Sequence, residues 1–242
     1  MTAEVVIDRR FCGPPDSGHG GYSCGVVAAH VDGPAIVTLR RPPPLGTPLA
    51  VVPGDAASVQ VLDGDELVAV GERRDDDLGI EVPDPVGIAD AAAAGSASWL
   101  HEHPEEHPFP TCFVCGPRRA PGDGLRLIVG SVAGRDVAAD AWTPAADLAD
   151  TNGTVRPEFV WAVLDCSGGV GSFLVDPLEG NPFVLGRFAV TIAGPVRAGA
   201  PHAVVGWRES VDGRKLTAGS AIFNDEGALV GLARATWIQL SG

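Results

Sequence analysis

An internal repeat constrains the fold of this chain more than any other feature of its sequence. Residues 37–52 and 190–205 align at a constant offset of 153 positions, and eight of the sixteen aligned residues are identical. Gly46 matches Gly199, and one proline on each side of it also matches. These matches lie within apolar runs that chance rarely aligns. Self-similarity at a fixed offset indicates a repeated structural unit. We therefore expect two copies of one unit, the second more complete than the first.

Each copy is predicted to contain one short apolar helix followed by several strands. The helices are expected over 20–31 and 157–173, and turns rich in Gly, Pro and Asp separate the strands. In the second copy the strands are expected over 185–193, 202–210, 215–223 and 228–240, with two more before its helix over 125–131 and 136–142. One helix followed by an antiparallel meander is an α+β layout. The predicted division is a first unit over 1–95, a linker over 96–110 and a second unit over 111–242.

The composition favours a cytoplasmic protein without a nucleic-acid or membrane partner. Acidic residues outnumber basic ones by 31 to 17, and this excess repels nucleic-acid phosphates and anionic lipid, so no nucleic-acid or membrane partner is expected. The first ten residues lack the apolar core of a secretory signal, and no stretch approaches the ~18 apolar residues of a membrane span. Five cysteines without such a signal favour the reducing cytoplasm and argue against disulfides.

The second predicted helix carries a carboxylate in the middle of an apolar sequence. Residues 158–169 are apolar nearly all round, which is typical of a buried helix, and Asp165 lies at their centre. A buried carboxylate without a partner costs several kcal/mol. Asp165 is therefore either a structural residue that bonds backbone amides, or a base or nucleophile kept in an apolar cleft.

The first predicted helix begins at a pair of glycines. His19-Gly20-Gly21 leads directly into Tyr22. Glycines at a helix start let another group approach the free backbone N–H groups, where the helix dipole favours negative charge. Such amides form an oxyanion hole if a thioester carbonyl lies there. The alternative is an ordinary tight turn.

These motifs resemble those of the hotdog-fold thioesterase superfamily, especially its phenylacetyl-CoA and hydroxybenzoyl-CoA thioesterase branch. Members often carry a Cys-Phe-x-Cys-Gly…Gly-Leu opening, a His-Gly-Gly at the start of a buried central helix, and an acid nine positions beyond that His. Residues 112–116 with 124–125 resemble the opening, residues 19–21 the helix start, and Asp165 the acid. The resemblance covers most of the chain and implies a tandem (double) hotdog, with antiparallel sheets each wrapped around a central helix.

The two copies depart from this pattern in complementary ways. Ala28 stands nine residues after His19, so the first copy has the glycines without the acid. Arg156 stands nine residues before Asp165, so the second copy has the acid without the glycines. In dimeric members of the superfamily, each site takes its amides from one unit and its carboxylate from the other. The resemblance therefore implies one composite site, which joins the first copy's glycines to Asp165.

The resemblance also implies a role for each site residue. The amides of Gly21 and Tyr22 would bind the thioester carbonyl, while Asp165 would attack it or activate water. Arg156 would bind a phosphate of CoA or pair with Glu158. Other residues are expected to contact substrate because they lie near these motifs in the sequence. They are His19, Gly20, Ser23, Arg156 and Ser167.

The predicted function is hydrolysis of acyl-CoA or acyl-carrier-protein thioesters, with the CoA thioester as substrate and no cofactor. A second hypothesis is a non-catalytic double hotdog that binds an acyl thioester or another protein. A third is a hotdog hydratase or dehydratase, but these usually present an Asp/His pair at a helix start, which the sequence does not show. Exposed sheet edges commonly pair hotdog units, so the fused chain is a candidate homodimer.

The cysteines offer a weaker signal. Cys112 and Cys115 form a CxxC pair, and sulfur and nitrogen ligands at short spacing suit Zn²⁺. The histidines close to this pair in the sequence are His101, His103 and His107. One CxxC pair in a Pro-rich stretch is a modest signal, and in the resembling family it is a packing loop, so no metal site is predicted. Cys166 has no histidine near it in the sequence, and inert packing is expected for it.

Overall fold

The strands of the protein form a single antiparallel sheet. The structure is a computed structural model that describes residues 3–75, 77–175 and 182–241. Within these ranges it contains eleven strands: β1 (Ala3–Val6), β2 (Ala35–Leu39), β3 (Pro48–Pro53), β4 (Ser58–Asp63), β5 (Glu66–Arg73), β6 (Gly130–Ser131), β7 (Ala138–Trp142), β8 (Phe183–Ile192), β9 (His202–Asp212), β10 (Lys215–Phe223) and β11 (Leu229–Gln239). The helices in the same ranges are α1 (Gly20–Ala28), α2 (Ile88–Ser96), α3 (Trp99–Glu102) and α4 (Pro157–Val175).

The two halves of the sheet have the same strand order when read outward from the middle. The full order is β1-β3-β4-β5-β2-β8-β11-β10-β9-β7-β6. On each side of the β2–β8 pair, a central strand is followed outward by the fourth, third and second strands after the helix of that half. β2 and β8 join the halves through the pairs Ile36–Ala189, Val37–Phe188 and Thr38–Arg187. The layout is α+β, as the sequence predicts.

The repeated residues occupy matching positions in the two halves. Gly46 precedes β3 and has φ of 68°, and Gly199 precedes β9 and has φ of 77°. Both values lie in the left-handed region that glycine adopts without a steric penalty. The same backbone turn therefore leads into the same strand in each half, which explains why both copies retain glycine there.

α1 and α4 lie on one face of the sheet and cross in close contact. A Cβ atom on Gly21 would lie 2.6 Å from the backbone oxygen of Trp161, and a Cβ on Gly25 would lie 2.7 Å from Cα of Glu158. Glycines at these positions therefore let the two helix backbones approach closely. Because Gly21 meets the middle of α4 and Gly25 meets its first turn, the helices run antiparallel. Their apolar side chains belong to the main hydrophobic core of the protein.

α2 covers the opposite face of the second half of the sheet. It buries Ala91 in a second core with alternate residues of β9, namely Ala203 and Val205, whereas Val204 belongs to the main core. This alternation follows from the two-residue period of a strand. The predicted linker over 96–110 begins at the last residue of α2, a helix that the sequence did not predict. This Ala-rich stretch packs as a helix because its small side chains fit against the sheet.

The bounds of some predicted elements differ from those of the structure. The strand expected over 125–131 is reduced to β6, and the helix expected over 20–31 ends at Ala28. Leu125 and Leu127 do form backbone hydrogen bonds, but with Phe113 and Val114 in a loop rather than with a long strand. Within the described residues, no helix combines the length and apolarity needed to cross a lipid bilayer.

Candidate functional site

The amino end of α1 presents backbone amides next to the histidine that precedes it. His19 has extended backbone angles and caps the helix, and its Nδ1 accepts a hydrogen bond from the Tyr22 amide at 3.2 Å. The amides at the start of a helix lack partners within the helix and carry its positive dipole end. Because Gly20 and Gly21 have no side chains, groups from α4 and β8 reach this helix end directly.

Asp165 of α4 meets this helix end, although 144 residues separate it from Gly21. The Gly21 amide donates to Oδ2 of Asp165 at 2.6 Å, and the same oxygen lies 3.6 Å from His19 Nδ1. Asp165 is only 2% exposed. Among the described residues, its other oxygen, Oδ1, has no hydrogen-bond partner. The structure thus brings together the glycines of the first copy and the acid of the second.

The surroundings of Asp165 favour its neutral form more than water does. Burial raises the pKa of Asp165 to about 6, although the nearby His19 ring and the hydrogen bond from Gly21 act in the opposite direction. A carboxyl group with a raised pKa is suited to exchange protons near neutral pH. One backbone hydrogen bond fixes its position while the second oxygen remains able to accept a proton.

The corresponding positions at the other helix ends lack this chemistry. α4 begins at Pro157, which has no backbone N–H. Arg156 pairs with Glu158 at 3.2 Å and covers the ring of Phe159 at 4.8 Å, so the structure shows the pairing that the sequence offered as one alternative. Arg156 also borders a surface cleft of about 440 Å³ between the start of α4 and the end of β8. Ala28, at the end of α1 that faces the start of α4, supplies no acid there.

The remaining predicted contact residues are spread around the two helices. Ser23 faces strands of the first half and lines a small apolar cavity with Val5 and Ile7. Ser167 donates to the backbone oxygen of Val163 in its own helix at 2.8 Å. The hydroxyls of both serines are therefore directed away from the pairing of Asp165 with Gly21. The Tyr22 ring stacks on Phe11, so Tyr22 offers only its amide to the site.

Next to Asp165 lies a cluster of three thiols and one imidazole, which the sequence analysis did not assemble. His19 Nε2 is 3.1 Å from Cys166 Sγ, and Cys112 Sγ is 3.7 Å from Cys166 Sγ. The thiol of Cys115 lies near enough to those of Cys112 and Cys166 for the three to influence one another's pKa. The four side chains are buried, none more than 6% exposed. We refer to these four residues as the thiol–imidazole cluster.

The cluster polarises its own thiols. Burial opposes ionisation of Cys112, but hydrogen bonds from Cys115 and Cys166 and the neighbouring His19 outweigh it and hold the pKa of Cys112 well below its usual value. Burial, reinforced by the neighbouring thiols, raises the pKa of Cys166 well above its usual value. Cys112 is thus the thiol of the cluster that ionises most readily. A second group of neighbouring side chains that could bind a metal, His103 with Glu105 and Glu106, lies at the surface.

The histidines that the sequence associates with the CxxC pair do not join it. His103 lies near Glu105 and Glu106, and Nδ1 of His107 accepts a hydrogen bond from the amide of Phe109. The imidazole of the cluster comes from His19, and its third thiol from Cys166. Both residues are distant in the sequence from the CxxC pair, so the sequence did not identify them as its partners. The available signal was the match of 19–21 and 112–116 to one family pattern, which implied that both segments lie near the central helices.

Similarity to a solved structure extends over the whole chain. A hotdog-fold protein of unknown function from Alicyclobacillus acidocaldarius covers 100% of this chain and 96% of its own, with a TM-score of 0.61 and 10% identity. The chain therefore has the hotdog fold. No protein-family model matches the sequence, and no curated protein is significantly similar to it.

Shorter matches include proteins described as thioesterases or encoded with degradation enzymes. A thioesterase superfamily protein matches 46% of this chain with a TM-score of 0.41 and 18% identity, and the match spans 53% of that protein, about half its length. The Escherichia coli PaaI protein from the phenylacetic acid degradation operon matches 46% of this chain and 81% of its own, with a TM-score of 0.40 and 14% identity.

Proposed function

We propose that the chain hydrolyses acyl thioesters of CoA or an acyl-carrier protein at one composite site. The observation that carries the proposal is the 2.6 Å contact between the Gly21 amide and Asp165 Oδ2. This contact joins a helix start, whose first amides have no acceptor within the helix, to a buried carboxylate of raised pKa. The two groups are those that thioester hydrolysis needs: a donor for the carbonyl oxygen and a base or nucleophile.

The chain is two fused hotdog units in this proposal, over 1–95 and 111–242, joined by 96–110. The mirrored strand order around β2 and β8 supports this division. Each unit contributes one central helix and the strands that follow it. The site lies between the units because α1 supplies the amides and α4 supplies the acid.

Hydrolysis would proceed in two steps at this site. The carbonyl oxygen of the thioester accepts hydrogen bonds from the Gly21 and Tyr22 amides, which stabilise the negative charge that develops on it. Asp165 removes a proton from water as the water oxygen bonds to the carbonyl carbon. The tetrahedral intermediate then collapses, the C–S bond breaks, and the leaving thiolate takes the proton from Asp165. Direct attack by Asp165, with water hydrolysing the resulting anhydride, gives the same products.

Substrate binding requires a local rearrangement in this mechanism. The Gly21 amide donates to Asp165, and the Tyr22 amide donates to His19. A thioester carbonyl has to replace both acceptors. The carboxylate therefore moves off Gly21 when substrate enters. With a pKa of about 6, Asp165 is mostly ionised at neutral pH, which is the form that a base requires.

The second candidate function is a double hotdog that binds an acyl thioester without hydrolysing it. The observation that favours it is the burial of Asp165, which is 2% exposed with its oxygen on the amide that substrate would use. The absence of an acid at Ala28 points the same way, because it leaves the second potential site incomplete.

Release of free thiol from a panel of acyl-CoA esters tests both functions. We expect turnover by the native chain, and a fall of about 10²–10⁴-fold in kcat for Asp165→Asn, which keeps the shape but removes the base. Glu158→Gln, on the same helix and paired with Arg156, is the matched control and retains activity. Calorimetric binding of an acyl-CoA without any thiol release would instead establish the binding function. Turnover that Asp165→Asn leaves unchanged would reject this mechanism.

The proposal includes a cytoplasmic location, since an acyl-CoA substrate and five free thiols both suit a reducing compartment. It requires neither nucleic acid nor membrane, and no cofactor takes part in the hydrolytic steps. Pairing of two fused chains into a homodimer is part of the proposal as well, and size-exclusion chromatography with light scattering tests it.

A further inference from the structure

We propose that the thiol–imidazole cluster of His19, Cys112, Cys115 and Cys166 binds one zinc ion, which holds the three segments that meet there. Three thiolates and one imidazole form one of the standard ligand sets of structural zinc. The proposal does not depend on thioester hydrolysis, because none of its evidence comes from the proposed reaction.

The distances between the ligand atoms fit a common ion. A tetrahedral zinc with Zn–S of about 2.3 Å and Zn–N of about 2.0–2.1 Å separates two sulfurs by about 3.8 Å, and sulfur from nitrogen by about 3.6 Å. The Cys112 and Cys166 sulfurs are 3.7 Å apart, and His19 Nε2 is 3.1 Å from Cys166 Sγ. These three ligand atoms all lie within 4.8 Å of one another. Cys115, the second cysteine of the CxxC turn, lies outside this group of three atoms, and its thiol has to turn toward them to supply the fourth ligand.

The loop that carries the CxxC pair is folded for joint use of its two thiols. A Cβ atom on Gly116 would lie 2.6 Å from the Cys112 backbone nitrogen, so only glycine fits where the loop turns back on itself. The Gly116 amide donates to the Cys112 backbone oxygen at 2.9 Å. This turn keeps Cys112 and Cys115 on one compact loop, and α4 presents Cys166 next to Cys112.

The burial of the cluster indicates a structural site. All four positions of a tetrahedral ion would be filled by protein, whereas a catalytic zinc keeps one position open for water or substrate. The ligands come from the start of α1, the loop at 112–116 and the middle of α4. An ion here would therefore link elements that are distant in sequence, next to the contact between Gly21 and Asp165.

Asp165 is placed to support the histidine ligand. With Nε2 on the metal, the ring proton of His19 resides on Nδ1, which faces Asp165 Oδ2 at 3.6 Å. Metal-bound histidines commonly donate their other ring N–H to a carboxylate. In this state His19 Nδ1 no longer accepts from Tyr22, so the Tyr22 amide becomes available to another acceptor.

A disulfide is the main competing use of these thiols. The separation of 3.7 Å between the Cys112 and Cys166 sulfurs is far from a covalent bond of about 2.05 Å. All five cysteines of the chain are free. The experiment therefore has to distinguish a zinc-bound cluster from a cluster of reduced thiols without metal.

The test is the metal content of the chain purified without chelators and reconstituted with zinc under anaerobic conditions. We expect one zinc per chain by elemental analysis. Replacement by Co²⁺ should give the intense near-ultraviolet band of thiolate-to-cobalt charge transfer and the visible bands of a tetrahedral site. Native chain that retains no stoichiometric zinc and develops no such bands overturns the proposal, whatever the variants do.

Two variants identify the ligands. Cys112→Ser should lose the zinc, whereas Cys24→Ala, a buried cysteine of α1 outside the cluster, should keep it. His19→Ala should change the cobalt bands, because one nitrogen ligand is lost. Zinc retained in full by Cys112→Ser overturns the assignment.

The zinc proposal and the proposed hydrolysis fail separately. Asp165→Asn abolishes thiol release but leaves the proposed ligands in place and keeps a side-chain oxygen that can accept from His19 Nδ1, so bound zinc persists. Zinc with no turnover in the native chain rejects only the hydrolase, and turnover without zinc rejects only the metal site.

Discussion

The two central helices, α1 and α4, begin differently, although each precedes the corresponding four strands in its own half of the sheet. α1 begins at glycines whose amides face Asp165 across the helix contact, whereas α4 begins at Pro157, which has no amide to offer. The end of α1 that faces the start of α4 carries Ala28 instead of an acid. The same fold thus provides a polar, amide-rich helix end in one place and an apolar, ion-paired one in the other. Chemistry depends on the residues at the helix ends and not on the fold itself.

Removal of the proposed zinc should affect the first of these helix ends far more than the second. Metal at 1,000 times its Kd contributes about 4 kcal/mol, and each kcal/mol shifts Tm by about 2–4 °C in a chain of this size, so a chelator should lower Tm by about 10 °C. Hydrogen exchange should accelerate at the start of α1 and at 112–116, and much less at the start of α4. Equal acceleration across both regions would show that the ion does not distinguish the two helix ends.

Gly21→Ala should be the most damaging small substitution at the contact between the helices. The added Cβ would lie 2.6 Å from the Trp161 backbone oxygen and collide with the Asp165 side chain, and overpacking of this kind costs about 1–3 kcal/mol or more. Gly168→Ala in α4 is the matched control, because its nearest neighbour would be 3.5 Å away. It should be neutral or stabilising by up to about 1 kcal/mol. Urea unfolding measures both, and equal stabilities would contradict the described helix contact.

Asp140 provides a buried acid outside the site for comparison with Asp165. Burial raises the pKa of Asp140 to about 6, against opposing hydrogen bonds from the Ile128 and Ala141 amides. The folded state therefore binds the proton more tightly than the unfolded state, and the contribution to stability is present below about pH 4 and is lost as the pH rises to about 6.

Asp140→Asn should remove this dependence on pH. The difference in unfolding free energy between the native chain and the variant should fall by about 1–2 kcal/mol from pH 4 to pH 6, after allowance for the partial exposure of the carboxyl group. Urea unfolding at several pH values gives that difference. A difference that grows with pH would mean that the carboxylate, and not the neutral acid, is the stabilised form.

Ala28→Asp should not create a second site. The facing start of α4 has Pro157, which lacks a backbone N–H, and a Phe159 amide that already donates to the Arg156 carbonyl, so it offers fewer amides to a substrate carbonyl than α1 does. A carboxylate at the last residue of α1 also opposes the helix dipole and should cost about 0.3–1 kcal/mol. In an Asp165→Asn background, thiol release should remain absent. Recovered turnover would show that the two helix ends are more alike than their residues indicate.

The repeat made the two halves predictable because matching glycines and strands leave a local pattern in the sequence. The pairing of Asp165 with the glycines of α1 was also predictable. The first copy lacks the acid at Ala28 and the second lacks the glycines at Arg156, which suggested a shared site. The roles of these residues remain predictions.

The thiol–imidazole cluster was not predictable by the same means. The CxxC pair was visible, but its nearest histidines in the sequence, such as His103 and His107, have other partners in the structure. Cys166 was interpreted as packing because its histidine neighbour is 147 positions away. Tertiary contacts of that range leave no periodic signal. The position of α2 was missed for a related reason, because an alanine-rich segment packs wherever a flat sheet face accepts small side chains.

The β2–β8 junction has a consequence for how the molecule behaves on dilution. Because both strands belong to one polypeptide, their association is intramolecular, with an effective concentration set by the connecting chain instead of by the amount of protein. Two separate subunits would come apart as they are diluted, whereas here the halves always meet in a ratio of one to one. Each half is therefore free to acquire residues that the other lacks, because neither ever has to pair with a copy of itself.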